Sequence, residues 1–264
     1  MTVAESEHAA AEVVDLETTS LRALNQRLHD LHADTGSASA DPVSRESLKP
    51  PPSGGFNAVK TPGPRHFRVV NPSGAHAVAC GLDADIEVEI DGHVGYYCAG
   101  MNKLATVRVH GNASTGIAEN MMSGRVLVDG NVSQSAGATG RGGLLVVRGN
   151  ASSRCGISMK GIDIVVGGSV GHMSAFMAQT GCLVVCGDAG EALGDSIYEA
   201  RLYVRGSVAS LGADCVEKEL GDEHRAQLGG LLDAAGIGAD PAEFRRYGSA
   251  RQLYNFHIDH AGSY

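Results

Sequence analysis

Six cysteines and eleven histidines are the residues of this chain that could ligate a metal, act as nucleophiles or shuttle protons. Their spacing supports none of these roles. Cys182 and Cys186 stand four residues apart, which along a strand is about 13 Å, too far to share one ion. Cys98 and Cys155 each follow a recurring glycine by six residues, but three repeats separate them, about 14 Å at ordinary strand spacing. Together with Cys80 and Cys215 they read as buried or unreactive thiols, the common state of a free cysteine. The histidines contain no H-x-x-x-H or H-E-x-x-H arrangement. His257 and His260 pair only near the end of the chain, and His93, His110 and His172 read as surface residues of the repeat. No catalytic residue, metal ligand or cofactor-binding residue is expected on this chain.

Three further patterns resemble sites and have simpler readings. Asn-x-Ser triplets begin at Asn112, Asn131 and Asn150, the form of a glycosylation acceptor, yet they coincide with a repeat and read as a ladder of turn residues. Gly137 to Gly143 could pass for a phosphate loop, but no Gly-Lys-Ser/Thr follows and no helix begins there. Acid-base catalysis would need clustered carboxylates. The acids Glu89, Asp91 and Asp129 point outward and are expected to stand without a partner.

The elements that position these residues follow from self-similarity. Gly92, Gly111, Gly130, Gly149, Gly168, Gly187 and Gly206 recur in equal steps of 19 residues. Four and two residues before each stands a Val, Ile or Leu, from Val88 and Ile90 through Leu202 and Val204. Two same-facing apolar positions with one residue between them mark a half-buried strand, and their return at fixed period stacks them on one inward face. After each closing glycine from Gly111 onward comes a turn-forming residue (Asn112, Asn131, Asn150, Ser169, Asp188, Ser207), then a small inward one (Ala113, Val132, Ala151, Val170, Ala189, Val208). A second layer of glycines at Gly124, Gly143, Gly161 and Gly181 marks corners that need positive φ or close approach. Helical solenoids and propellers need longer repeats, and a left-handed β-helix would show an inner period of six. The prediction is an all-β fold, a right-handed parallel β-helix with 19-residue coils over residues 66–215, flanked by short helical segments.

Composition agrees. Thirty-six glycines in 264 residues, about twice the ordinary share, with no Trp and five Phe, suit many tight turns and a core of aliphatic side chains. A net charge of -9 disfavours nucleic acid and anionic membranes as partners. The first twenty residues carry no basic start followed by an apolar run, and no stretch approaches the roughly 20 apolar residues of a membrane span. A cytoplasmic location is expected. Residues 1–65 read as an amphipathic helix, with Leu21, Leu24, Leu28 and Leu31 on one face, followed by a Pro- and Gly-rich linker. Residues 216–264 read as a helix from about Asp222 to Ala235 and a docking tail with Phe244, Arg245, Arg246, Tyr247, Tyr254 and Phe256.

The string Gly-Asn-Ala-Ser-Thr-Gly at 111–116, the repeated strand-Gly-Asn/Ser/Asp units and the run Gly-Ile-Ser-Met-Lys-Gly at 156–161 resemble the GXGXG-motif domain that closes the large subunit of glutamate synthase. The segment Thr19 to His29 is similar to the N-terminal helix of stand-alone versions of that domain, the small middle subunit of N-methylglutamate synthase and its relatives. The third subunit of formylmethanofuran dehydrogenase is a more distant likeness. The resemblance implies a non-catalytic structural subunit of a hetero-oligomer, packed between a class II glutaminase-like subunit and a synthase subunit that carries FMN and an iron-sulfur cluster. Position 2 is Thr rather than the glutaminase cysteine, and no close cysteine triplet could hold a cluster, so neither chemistry is expected here. The alternatives are a β-helix subunit of a formylmethanofuran-dehydrogenase-like complex and a free-standing β-helix enzyme.

One outward position is a candidate partner surface. Three residues before the closing glycines the chain reads Glu89, Arg108, Leu127, Val146, Val165, Val184 and Tyr203, two charged residues and then five apolar ones. Stacked about 4.8 Å apart, the five form an outward stripe roughly 19 Å long. Either a partner subunit covers it, or the chain's own N-terminal helix or C-terminal segment does.

Overall fold

The structure is a computed structural model and describes residues 11–31 and 65–252. Its centre is one sheet with the order β1-β2-β3-β4-β5-β6-β7-β8-β9-β11-β10. The strands are β1 (Glu12–Asp15), β2 (Arg65–Val70), β3 (Ile86–Asp91), β4 (Thr106–Val109), β5 (Arg125–Val128), β6 (Leu144–Val147), β7 (Asp163–Val166), β8 (Cys182–Val185), β9 (Arg201–Val204), β10 (Cys215–Lys218) and β11 (Arg245–Ser249). From β1 to β9 every neighbour is parallel, and from β3 to β9 the register places each residue against the one 19 positions later, as Val107 against Val126 and Val126 against Leu145. The expected parallel solenoid with 19-residue coils is therefore what the chain forms. The inward pairs of each strand, from Val88 and Ile90 to Leu202 and Val204, are buried. The small residues after the turn make a second inner column of parallel bridges, Val94 to Ala113 to Val132 to Ala151 to Val170 to Ala189 to Val208.

The Gly-Asn/Ser/Asp unit has a steric cause. Asn112 Oδ1 accepts the Asn131 N–H at 2.8 Å, Asn131 Oδ1 accepts the Asn150 N–H at 2.8 Å, and Asn150 Oδ1 accepts the Ser169 N–H at 2.8 Å. Ser169 and Asp188 continue the ladder to Asp188 and Ser207. Each side-chain oxygen lies over the closing glycine of the next coil, where a Cβ on Gly130 would stand 2.3 Å from Asn112 Oδ1. Of the seven closing glycines only Gly92 has φ in the left-handed range, at 135°. Crowding, rather than backbone conformation, requires the other six. His93, expected to be a plain surface residue, occupies the first rung, its Nδ1 accepting the Asn112 N–H at 2.9 Å.

Both ends of the stack are closed by segments outside the repeat. At the first coil, α1 (Leu21–Asp30) is capped by Ser20 and buries Leu24 and Leu28. Its Asn25 Nδ2 donates to Ala77 O at 2.9 Å while Oδ1 accepts the Ala79 N–H at 3.0 Å. That amide supplies backbone partners which a preceding coil would otherwise supply. At the far end, β11 lies between β9 and β10 and runs antiparallel to both. Tyr254, Phe256, His257 and His260 lie outside the described residues.

Candidate partner-binding surface

The apolar stripe is not open to a partner. Helix α2 (Asp222–Ala235) buries Leu228, Leu232 and Ala235, and these meet Val146, Val165, Val184 and Tyr203 in a second core with Phe244 at its edge and Leu127 partly buried. The reading of Leu127, Val146, Val165, Val184 and Tyr203 as a partner interface is corrected accordingly. The chain's own C-terminal helix covers them, because an apolar strip of that length is hidden most simply by an adjoining amphipathic helix. Polar contacts fix the helix in place. Arg125 Nη2 donates to the Ala234 carbonyl and Arg148 Nη1 to the Gly236 carbonyl at 2.9 Å, so two cations meet the negative end of the helix. Gln227 Oε1 accepts from both Tyr203 Oη at 2.9 Å and Arg201 Nη1 at 2.8 Å.

On the same face the first coils are charged, and the expectation that the outward acids stand alone is also corrected. Parallel register brings together residues about 20 apart. Arg68 Nε donates to Asp91 at 2.6 Å, Arg108 Nη2 to Asp129 Oδ1 at 3.1 Å, and His110 Nδ1 lies 2.8 Å from Asp129 Oδ2. Glu89 sits between His66 at 3.7 Å and His110 at 3.8 Å. Burial pushes the Asp129 carboxyl up, and its hydrogen bonds from His110 and Arg108 outweigh this and hold it below the usual carboxylate range. Ligand atoms of His66, Glu87 and Glu89 fall within 4.8 Å of one another. Arg68 and Arg108 pair with the neighbouring Asp91 and Asp129. Acids and arginines of adjacent coils thus pair across the strands, with His66, Glu87 and Glu89 grouped on β2 and β3.

The cysteines follow their sequence reading in position. Cys98, Cys155, Cys182, Cys186 and Cys215 are buried and Cys80 is half-buried. Burial pushes the thiols up, to about 12 for Cys155, Cys182 and Cys215. Thiols so placed are weak nucleophiles at neutral pH.

Sequence reading missed a group of apolar side chains that reach solvent, apart from Val13, Met177, Leu211 and Val216 elsewhere on the surface. Tyr96, Tyr97, Met101, Leu104 and Met122 are 45% to 54% exposed, and all belong to two consecutive coils. Tyr96 stacks on His76 at 4.6 Å and meets Tyr97 edge-on at 6.4 Å. The Met122 N–H donates to Asn102 O at 2.7 Å, which stacks Met122 on the coil that carries Met101 and Leu104. A signal was present: later coils carry Thr115, Gln134 and Ser153 where this one has Tyr96, and Asn120, Thr139 and Ser158 where it has Met101. Apolar side chains concentrated on one coil edge and framed by polar ones suit association with another protein.

Fold and surface together define a parallel β-solenoid whose long apolar strip is sealed by its own helix and whose first coils carry an exposed apolar edge. No family model matches the chain. Protein GlxC of Rhizobium meliloti (strain 1021) is 55% identical over 253 residues, 96% of this chain and 99% of that protein. The chain belongs to the GlxC family. Among the described residues no helix is long and apolar enough to cross a membrane.

Proposed function

We propose that this chain is a non-catalytic structural subunit of a glutamate-synthase-like complex of the N-methylglutamate synthase type. It holds a class II glutaminase-like subunit and an FMN- and iron-sulfur-bearing synthase subunit in register. What supports the reading is the GXGXG-like repeat at 111–116 and 156–161, set in a solenoid whose exposed apolar edge has no covering segment among the described residues. A rigid stack suits this role, because each coil is braced by its neighbours and the distance between docking points is fixed. The test is affinity purification of the tagged chain from its native source. Co-purification of a flavoprotein and a glutaminase-like chain is expected, with iron and flavin confined to the partners. Catalytic turnover by the isolated chain, or its recovery from native extract without partners, would overturn the proposal.

A further inference from the structure

At the C-terminal end of the stack, where β9, β10, β11 and the first turn of α2 meet, the surface holds an open cavity of about 320 Å³. Its walls carry Arg201, Lys218, Arg246, Arg251, His224 and the acid Glu199. Four cations against one carboxylate is an unexpected balance in a chain of net charge -9. Internal pairing accounts for only part of it. Glu199 takes Arg251 Nη2 at 2.8 Å, and Arg201 lies 3.6 Å from the exposed Glu223. Arg246 spends its Nε on the neutral Glu219 carbonyl at 2.8 Å. Among the described residues neither Arg246 nor Lys218 forms an ion pair.

The sixth group, His224, gives an independent observation. Its Nδ1 is buried without a hydrogen-bond partner among the described residues, at a helix start whose cap, Gly221, offers no side chain. Burial holds this imidazole below its ordinary range, and the nearby Arg246 and Arg201 add to the effect against Glu223 and Glu219. A neutral imidazole of this kind can present an Nδ1–H. Two cations without an ion pair beside one cavity suit an anion, to which they would donate charge-assisted hydrogen bonds.

The geometry points to a binding site for a small phosphorylated molecule, its phosphate held by Lys218 and Arg246 beside the His224 ring, with the rest of the cavity taking the remainder of the ligand. A dianion suits this surplus of positive charge better than a single carboxylate, and the volume is at the lower end of small-molecule sites. The site lies at the opposite end of the stack from the exposed apolar edge and does not depend on the proposed subunit role.

The test uses the full chain, with the His224 ring resonances followed by NMR during titration with inorganic phosphate, glycerol 3-phosphate and malonate at constant ionic strength. Saturable shifts with both phosphates are expected, accompanied by a rise in the His224 pKa, with glycerol 3-phosphate the tighter ligand. Lys218→Gln should weaken binding about fivefold or more, the loss of one charge-assisted contact, and Lys218→Glu should abolish it. Both variants should melt with the parent, because Lys218 makes no ion pair within the fold. Arg246→Gln provides a second loss of binding where it folds. Equal shifts with chloride, stronger binding of malonate than of either phosphate, or unchanged affinity in Lys218→Glu would overturn the assignment.

Discussion

Gly130 shows how a single hydrogen atom is selected by the coil above. Its missing Cβ would meet Asn112 Oδ1 at 2.3 Å and the Gly111 carbonyl oxygen at 2.7 Å, and the second contact is backbone that cannot swing aside. Gly130→Val should therefore cost clearly more than the roughly 1 kcal/mol of an average substitution, read as a lower midpoint in urea unfolding. Asp163 offers a test with a sign. Burial pushes its carboxyl up, opposed by the hydrogen bond it accepts from the Cys182 N–H at 2.9 Å. A folded pKa above the unfolded value of about 3.9 gives a contribution fully present below that value and lost as pH rises through the folded pKa. Asp163→Asn keeps an acceptor and removes the charge. It should melt higher than the parent at pH 7, and the gap should close below about pH 4, which thermal melts across that range will show.

Among the elements, the strands and α2 were legible and their assembly was less so. A column such as Val107, Val126, Leu145 and Ile164 announces itself because the inner face admits only aliphatic side chains and the period is fixed. The corners are silent by comparison. Ala118, Thr139 and Ala175 adopt φ of 55° to 58°, a conformation that side chains of those types do not advertise. Strand β1 escaped notice because Glu12–Asp15 stands outside the 19-residue period and pairs with β2 in a register that joins residues 55 apart. The charged cluster escaped because Glu89 and its histidines are neighbours through register, not along the chain. Which segment would hide the apolar stripe was open between the two ends, and α2 decides it. Val165→Glu then places a carboxylate with no counter-ion under α2. It should destabilise the isolated chain by about 3 kcal/mol or more, and an unchanged melting temperature would contradict the packing of that helix.

At the scale of the whole molecule, the same face is charged at its first coils and helix-covered further on, while the exposed apolar edge lies on the coils that carry Tyr96 to Met122. The proposed docking role makes a direct prediction for that edge. Met101→Glu and Leu104→Glu, at side chains about half exposed, should leave the melting temperature within about 1 °C of the parent, since surface substitutions rarely exceed 0.5 kcal/mol. The pair should nevertheless abolish co-purification of partner subunits. Retained assembly would move the docking surface elsewhere on the solenoid.

The insertion of β11 between β9 and β10 also dictates an order of events on the ribosome. Coils from β2 to β9 can stack one after another as they emerge, each new coil finding the last already in place. Strand β10 is made next, yet its ladder is with β11, which is synthesised about 30 residues later. Until Ser249 is in place, β9 keeps an open edge and β10 has no strand to pair with. The nascent chain thus carries an unsealed sheet edge through most of its synthesis; α2 emerges first and can cover the apolar stripe, and β11 then closes the edge. A chain cut short before residue 245 would retain every coil and still be sticky.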